Sequence, residues 1–326
     1  MAAAEDAKTT PRGGIDLGGT KIQAVIVGAT GEVTGDARRQ TPTSGGPEDV
    51  AKQMAEALTE AAGPAGVKTA ALAGIGVGSP GDVDESTGEV SGARNLPGWN
   101  GSFGLASWLS NALGAPVRIG NDVDVATDAE FKLGAGTPYR SLLGVFWGTG
   151  VGGGLILDGK RWLGRGAAGE IGHMVIELGG ARCPCGRRGC VEAYAGRAAM
   201  EAKARRDHDD GVKTELFKIM HKRGHDRLTS SIWERALDDG DHLAEKLIDR
   251  AVKALGAGIA SAVNLLDVEA VIIGGGIGIR LGEPYLEQIR KHMAKHLFVD
   301  ERPPALELAS LGDFGGAIGA SLLFEE

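Results

Sequence analysis

Cysteine is scarce in this sequence of 326 residues: the chain has three, and all of them lie in the segment CPCGRRGC at 183–190. An odd number of thiols cannot close entirely as internal disulfides, which argues against the disulfide framework of a small secreted domain. Clustered thiols are instead typical of a metal site, with reduced cysteines that bind no metal as the alternative. Such a site needs a fourth ligand.

Long apolar runs are missing as well. No stretch reaches the roughly 20 residues that a membrane helix needs, and the start MAAAEDAKTTPRG lacks the pattern of a signal peptide. Basic residues do not dominate, because 35 Lys and Arg against 43 Asp and Glu give a net charge of −8. We therefore expect a cytosolic protein with neither a nucleic-acid nor a membrane partner, and a flexible tail at 1–11.

Proline is sparse, at 12 residues, whereas glycine is abundant, at 54. This imbalance indicates many tight turns and close backbone approaches rather than a disordered chain. At roughly 150 residues per domain the length predicts about two domains. Apolar strand-like runs alternate with helical segments, and this alternation predicts an α/β architecture.

Two segments share one pattern, in which a glycine turn joins two apolar runs. The first is GGIDLGGTKIQAVIV, and the second is SLLGVFWGTGVGGGLILDGK, with Gly148 lying 130 positions after Gly18. Each pattern predicts a β-hairpin, and the pair predicts two lobes built on related plans.

Three glycine turns after apolar runs are candidate phosphate sites, since backbone N–H groups in such turns bind anionic oxygens. They comprise Gly18, Gly19 and Thr20; Gly148, Thr149 and Gly150; and Gly274, Gly275 and Gly276. Asp16 can organise Mg²⁺ through water and Lys21 adds positive charge, while the third turn can admit an adenosine. The spacings match neither the P-loop nor the dinucleotide fingerprint, and an ordinary hairpin turn is the alternative for the first. Together the turns predict nucleotide binding.

Polar residues elsewhere suit a sugar. Asp122, in IGND, can take the proton of an attacking hydroxyl while Asn121 holds the sugar, or the two can form a helix N-cap. Glu170 and Glu192 flank the cysteine segment and can accept hydrogen bonds from sugar hydroxyls, or lie on the surface. His173, in GEIGH, supplies the fourth ligand of a closed zinc site with Cys183, Cys185 and Cys190.

Taken together, DLGGTK, GND, GTGVGGG, GEIGH and CPCGRRGCVE resemble the ROK family of repressors, open reading frames and kinases, in order from about residue 13 onward. The most specific part is the spacing H-x₉-C-x-C-x₄-C. The resemblance implies a two-lobed, actin-like or hexokinase-type ATPase fold with an interlobe cleft. It assigns 12–122 with about 313–326 to a small α/β domain, and 123–312 to a large α/β domain with the zinc loop.

The ATP-dependent glucokinases of the family are the most similar, and they imply transfer of the γ-phosphoryl group of ATP to the 6-hydroxyl of glucose. Asp122 is then the general base, Zn²⁺ is structural and Mg²⁺ accompanies ATP. The implied sugar contacts are Gly78, Asn95, Asn121, Glu170, His173 and Glu192, and the glycine turns hold ATP. The family also implies a homodimer or a tetramer.

Several alternatives stay open. The acceptor can be mannose, fructose, N-acetylmannosamine or allose, and the donor can be polyphosphate. A sugar-sensing repressor is less favoured because little chain precedes residue 13, and an acceptor-free ATPase because it has no use for the paired acids. Trp147 stands where the family often has a smaller aliphatic residue, so it widens, braces or stacks on the nucleotide side. DFG at 313–315 lacks the other kinase motifs and is read as coincidence.

Overall fold

The computed structural model describes residues 10–93 and 95–324, so the predicted tail lies outside the described residues except for its last two positions. The described chain separates into two compact units. The first runs to Thr137 and resumes at Ser310, and the second is Pro138–Ala309. The sequence placed these boundaries at 122 and 312 instead.

The elements are numbered in chain order. The strands are β1 (Arg12–Leu17), β2 (Lys21–Val27), β3 (Val33–Gln40), β4 (Ile75–Ser79), β5 (Asp82–Asp84), β6 (Glu89–Ser91), β7 (Val117–Asn121), β8 (Leu142–Trp147), β9 (Val151–Leu157), β10 (Lys160–Arg161), β11 (Ala270–Gly274) and β12 (Ala305–Leu308). The helices are α1 (Pro47–Ala62), α2 (Leu105–Leu113), α3 (Asp122–Leu133), α4 (Glu192–Ala195), α5 (Arg197–Asp209), α6 (Leu216–Lys222), α7 (Ser230–Asp238), α8 (His242–Leu266), α9 (Gly275–Ala294) and α10 (Gly315–Ser321). Short 3₁₀ turns lie at Thr69–Ala71, Ile171–His173, Gly312–Phe314 and Leu322–Phe324.

The main sheets of the two units have the same topology. The first has the order β3-β2-β1-β4-β7 and the second the order β10-β9-β8-β11-β12. In each sheet the first three strands of this order pair antiparallel to one another. The fourth strand pairs parallel to the third, and the fifth pairs parallel to the fourth. Both predicted hairpins, the two related plans and the α/β class are therefore confirmed.

Each unit has its own apolar core. In the first, α1 and α2 cover the sheet with buried residues such as Met54, Leu58 and Leu109. In the second, the long helix α8 buries one face, and Trp147 and Trp233 are fully buried. Within the described ranges, no helix combines the length and the apolar character needed to cross a membrane.

The C-terminal helix α10 packs directly on the backbone of the first sheet. A Cβ added at Gly14 would lie 1.9 Å from the Ala317 carbonyl oxygen, and one at Gly76 would lie 1.7 Å from that of Ala320. One at Gly319 would lie 2.2 Å from the Val125 carbonyl oxygen on α3. These close contacts place both α3 and α10 in the first unit, and they explain why the boundary follows α3 instead of preceding it.

We expect Gly14→Ala to lower the free energy of unfolding by about 3 kcal/mol, because the added methyl group would push α10 off the sheet. Denaturant unfolding followed by circular dichroism measures the change. The control is Gly101→Ala, since Gly101 is exposed and a Cβ there would have no atom within 4 Å. Equal stability of the two variants would contradict this packing.

Candidate functional site

In the first unit, Asp16 and Asp122 lie at the carboxyl ends of strands on either side of β4. Asp16 of β1 pairs in register with Gly78 of β4, and Ser79 of β4 pairs with Asn121 of β7. A Cβ added at Gly78 would lie 2.8 Å from the Val125 side chain and 3.4 Å from the Asp122 Cα atom. Glycine at 78 therefore lets α3 begin close to the sheet. This close approach brings together the predicted residues Asp16, Gly78 and Asp122.

The environment of both carboxyl groups favours the neutral form. Burial raises the pKa of Asp122 to about 7, and the negative charge of Asp16 contributes, although the Val123 N–H donates a hydrogen bond that opposes the shift. Burial also raises the pKa of Asp16 to about 6, against the opposing charge of Lys21. Carboxyl groups that titrate near neutral pH are typical of functional sites.

Asn121 is the N-cap of α3. Its Oδ1 atom accepts hydrogen bonds from the N–H groups of Val123 at 3.0 Å and Asp124 at 3.3 Å. The N-cap alternative is thus the observed arrangement. Within the described residues the Asn121 amide nitrogen donates no hydrogen bond, so it can still donate to a ligand.

The turn between β1 and β2 is a tight one. The Gly18 N–H donates to the Lys21 carbonyl at 2.9 Å, and the Thr41 hydroxyl donates to the Gly18 carbonyl at 2.6 Å. A Cβ added at Gly19 would lie 3.0 Å from the Asn95 side-chain nitrogen, so this predicted residue adjoins the turn. Gly19 and Thr20 are exposed and accessible to a ligand.

Lys21 has an acidic neighbour. Its Nζ atom is 3.9 Å from a carboxylate oxygen of Asp313, which also pairs with Arg38 at 2.7 Å. The aspartate of the DFG segment is therefore an ion-pair residue of the first unit, and part of the Lys21 charge is compensated.

In the second unit, His173, Cys183, Cys185 and Cys190 form a candidate metal site, since their ligand atoms all lie within 4.8 Å of one another. The Sγ atoms of Cys185 and Cys190 are 3.8 Å apart, and Cys183 Sγ is 3.8 Å from His173 Nδ1. Zinc–thiolate bonds of about 2.3 Å in a tetrahedron imply sulfur–sulfur distances of about 3.8 Å. The four residues fit a tetrahedral metal ion.

The cysteine loop is a tight reverse turn. The Cys183 N–H donates to the Arg187 carbonyl at 2.8 Å, and the Gly186 N–H donates to that of Cys183 at 3.0 Å. Burial acts to raise the pKa of Cys185, but hydrogen bonds from the Arg187 backbone and from the other two thiols lower it to about 7. Burial raises the pKa of Cys183 to about 12 and also raises that of Cys190, so without a metal ion only Cys185 favours the thiolate, which is the form that binds metals.

The two predicted acids adjoin this cluster. Glu170 Oε2 lies 3.9 Å from His173 Nε2, so the ring directs one nitrogen toward the thiols and the other toward Glu170. Glu192 Oε1 lies 3.9 Å from Cys183 Sγ, and its Oε2 accepts the Val151 N–H at 3.0 Å. Glu192 is therefore a half-buried anchor of the strand that follows the second glycine turn.

The second and third glycine turns adjoin each other. Gly274 of β11 pairs in register with Phe146 of the parallel strand β8, and a Cβ added at Gly148 would lie 4.0 Å from the Gly276 nitrogen. The third turn is also the start of α9, so the sequence predicted a turn where the structure begins a helix. The helix N-terminus presents backbone N–H groups, as the predicted turn would have done.

Trp147 braces this region. The fully buried indole donates from Nε1 to the Ala195 carbonyl at 2.7 Å, which ties the end of β8 to the end of α4. Of the roles that the sequence left open, bracing is therefore the observed one.

Sequence reasoning missed Arg197 at the start of α5. Its guanidinium donates to the Thr149 hydroxyl at 2.7 Å and to the Leu228 carbonyl at 2.9 Å. The available signal is a basic residue in AGRAAM, shortly after the cysteine loop, in a stretch whose pattern predicts only a helix.

These features define a class: α/β proteins of two similar units, with glycine turns at strand ends and a His/Cys cluster that positions acids. The chain belongs to the ROK family, which matches residues 12–326.

Similar proteins span almost the whole chain. A glucokinase from Halalkalibacterium halodurans is 32% identical over 96% of this chain and 94% of its own length. An N-acetylmannosamine kinase from Haemophilus influenzae is 31% identical over 94% of this chain and 93% of its own. The structure of a ROK glucokinase from Streptomyces griseus, in complex with glucose and AMPPNP, has a TM-score of 0.82 at 31% identity and covers 96% of this chain and 98% of its own. The chain shares the fold of these sugar kinases.

The raised pKa of Asp122 predicts an unusual pH dependence of stability. Because ionisation of this group opposes folding, its cost develops as the pH rises from about 4 through 7. We expect Asp122→Asn to raise the Tm of ligand-free protein by a few degrees at pH 8 and by less at pH 5. The exposed Asp36→Asn is the control and should show no such difference. A gain that is equal at both pH values would contradict burial of a charged Asp122.

Proposed function

We propose that this protein transfers the γ-phosphoryl group of ATP to the 6-hydroxyl of glucose. The observation that carries the proposal is Asp122, whose half-buried carboxyl group has its pKa raised to about 7 by removal from water and by the charge of Asp16, at the end of the first sheet. A general base works best when its pKa is near the working pH. Support comes from relatives that are named glucokinases and that are similar to this chain over almost their whole length.

In this proposal the first unit supplies the base. Asp122 accepts the proton of the 6-hydroxyl as its oxygen attacks the γ-phosphorus, while the Asn121 amide nitrogen donates to the sugar. The bond from the γ-phosphorus to the bridging oxygen of the β-phosphate breaks, which gives glucose 6-phosphate and ADP. Asp16 would hold Mg²⁺ when it is bound with ATP, and the metal would supply positive charge to the phosphates. Gly78 leaves room for Asp122, and Asn95 beside the first turn contacts the sugar.

The second unit supplies the sugar and phosphate contacts. Glu170, Glu192 and the Nε2 atom of His173 bind sugar hydroxyls, and N–H groups of the two glycine turns bind ATP. Zn²⁺, bound by Nδ1 of His173 and the three thiolates, supplies no chemistry beyond fixing the loop. Transfer then depends on position and charge, with no covalent intermediate. We also propose a homodimer or tetramer in the cytoplasm.

A second acceptor has support of its own. The N-acetylmannosamine kinase from H. influenzae is 31% identical to this chain, close to the value for the glucokinases. Carboxylates that read ring hydroxyls suit several hexoses, so mannose, fructose and N-acetylmannosamine are tested together with glucose.

A coupled assay with a panel of hexoses and with ATP or polyphosphate tests the proposal. We expect the highest kcat/KM with glucose and ATP, and a fall in kcat of about 10²–10⁴-fold for Asp122→Ala, because the proton acceptor is lost. The glucose Kd of this variant should stay near that of the wild type. Preference for another hexose would reassign the acceptor, and near-normal turnover of Asp122→Ala would remove Asp122 as the base.

The metal site predicts a structural role for zinc. We expect about one zinc ion per chain by elemental analysis, and a fall in Tm of about 5–10 °C on chelation or in Cys185→Ser, because metal binding contributes to folding free energy. Glucose affinity should weaken as Glu170 and Glu192 lose their positions. Fully active protein that contains no metal would contradict this role.

A further inference from the structure

Arg197 is a half-buried cation without an acidic partner. Within the described ranges it forms no ion pair with a carboxylate; its guanidinium donates only to the Thr149 hydroxyl and the Leu228 carbonyl. The backbone fixes it at the second glycine turn, since the Arg197 N–H donates to the Gly148 carbonyl at 3.1 Å. The neighbouring Ala198 N–H donates to the Thr149 carbonyl at 3.0 Å.

Two carboxylates lie near Arg197 and its turn: Glu192, whose Oε2 atom would lie 2.3 Å from a Cβ added at Gly150, and Glu201. With three guanidinium groups in the same region, positive charge still exceeds negative charge. The buried carboxylate of Glu201 pairs with both Arg205 at 2.7 Å and Arg227 at 3.0 Å, so one acid serves two guanidinium groups. Burial lowers the pKa of Arg197, and the charge of Arg227 lowers it further, while Glu201 opposes both. Because Glu201 is shared by two other guanidinium groups, it compensates Arg197 only in part, and a half-buried cation that is only partly compensated is costly. The site therefore favours an anion.

The hydrogen-bond donors also converge here. Because the Thr149 oxygen accepts from Arg197, its own proton points elsewhere and is available to an acceptor. The N–H groups of Thr149 and Gly150 donate no hydrogen bond to any described residue. Three kinds of donor are thus combined with a positive charge, which suits an anion with several oxygen atoms.

We propose that Arg197, with the Thr149 hydroxyl and the N–H groups of Thr149 and Gly150, binds the phosphate oxygens of a nucleoside triphosphate. This inference rests on the proposed function and deepens it, because it assigns a side-chain cation to the donor phosphates. Arg227, held by Glu201, adds to the positive field without a contact of its own.

Titration calorimetry with Mg-AMPPNP, tripolyphosphate and adenosine tests the assignment. We expect Arg197→Gln to weaken binding of AMPPNP and tripolyphosphate by roughly 10- to 100-fold, because a charge-assisted hydrogen bond is lost. Adenosine and glucose should bind as in the wild type. The affinity of Arg197→Lys for AMPPNP and tripolyphosphate should lie between those of the wild type and Arg197→Gln, since lysine keeps the charge but lacks the planar guanidinium group. In kinetics, the KM for ATP should rise more than kcat falls.

The matched control is Arg235→Gln, which removes the same charge from an exposed pair with Asp239 on α7. It should bind AMPPNP like the wild type. Wild-type affinity for AMPPNP and tripolyphosphate in Arg197→Gln, with or without a lower Tm, would overturn the assignment and leave the kinase proposal intact. Wild-type protein that binds no nucleotide would overturn both. If Arg197→Gln does not fold, Arg197→Lys is the test. A lower ratio of tripolyphosphate affinity to adenosine affinity than in the wild type supports the assignment, and an unchanged ratio overturns it.

Discussion

The carboxylate of Glu192 connects the functional elements of the second unit. One of its oxygens accepts the Val151 N–H after the glycine turn, and the other faces the Cys183 thiol. A metal ion bound by the thiols would therefore hold the turn as well as the cysteine loop. Because α5 begins shortly after Glu192, the same anchor places Arg197 beside Thr149. Small shifts of the Glu192 side chain would therefore affect the cysteine cluster, the glycine turn and Arg197 together.

The first unit uses the same strand order for different chemistry. There the close approach is made by backbone: glycines at 14, 76 and 78 let α10 and α3 lie against the sheet. The result is that two half-buried carboxyl groups lie near each other, and their partial removal from water raises the pKa of each toward neutral pH. In the second unit, side chains rather than backbone make the contacts: thiols, acids and arginines surround its turns. One topology thus carries two carboxyl groups with raised pKa values in one unit and charged anchors in the other.

Much of this was predictable from local sequence. The two hairpins follow from apolar runs around glycine turns, and the metal ligands follow from the spacing of His173 and the cysteines. Local patterns failed where two local structures were both possible. The glycines at 274–276 begin α9, where the sequence predicted a turn. For Asn121 the sequence left a sugar contact and an N-cap open, and only the structure shows that its side chain caps α3. The sequence placed the first boundary at 122, whereas the first compact unit runs to Thr137, because the packing of α3 against Gly319 involves residues far apart in the chain.

The sequence by itself determined the α/β class, the paired hairpins, the candidate metal ligands and the family, since each depends on residue type and spacing along the chain. Only the tertiary structure decided that Asp16 and Asp122 influence each other, that Glu192 anchors Val151, that Trp147 braces α4, and that Arg197 reaches Thr149. Those contacts join segments separated by tens of residues. Burial and distance, which set pKa values and hydrogen bonds, exist only after the chain has folded.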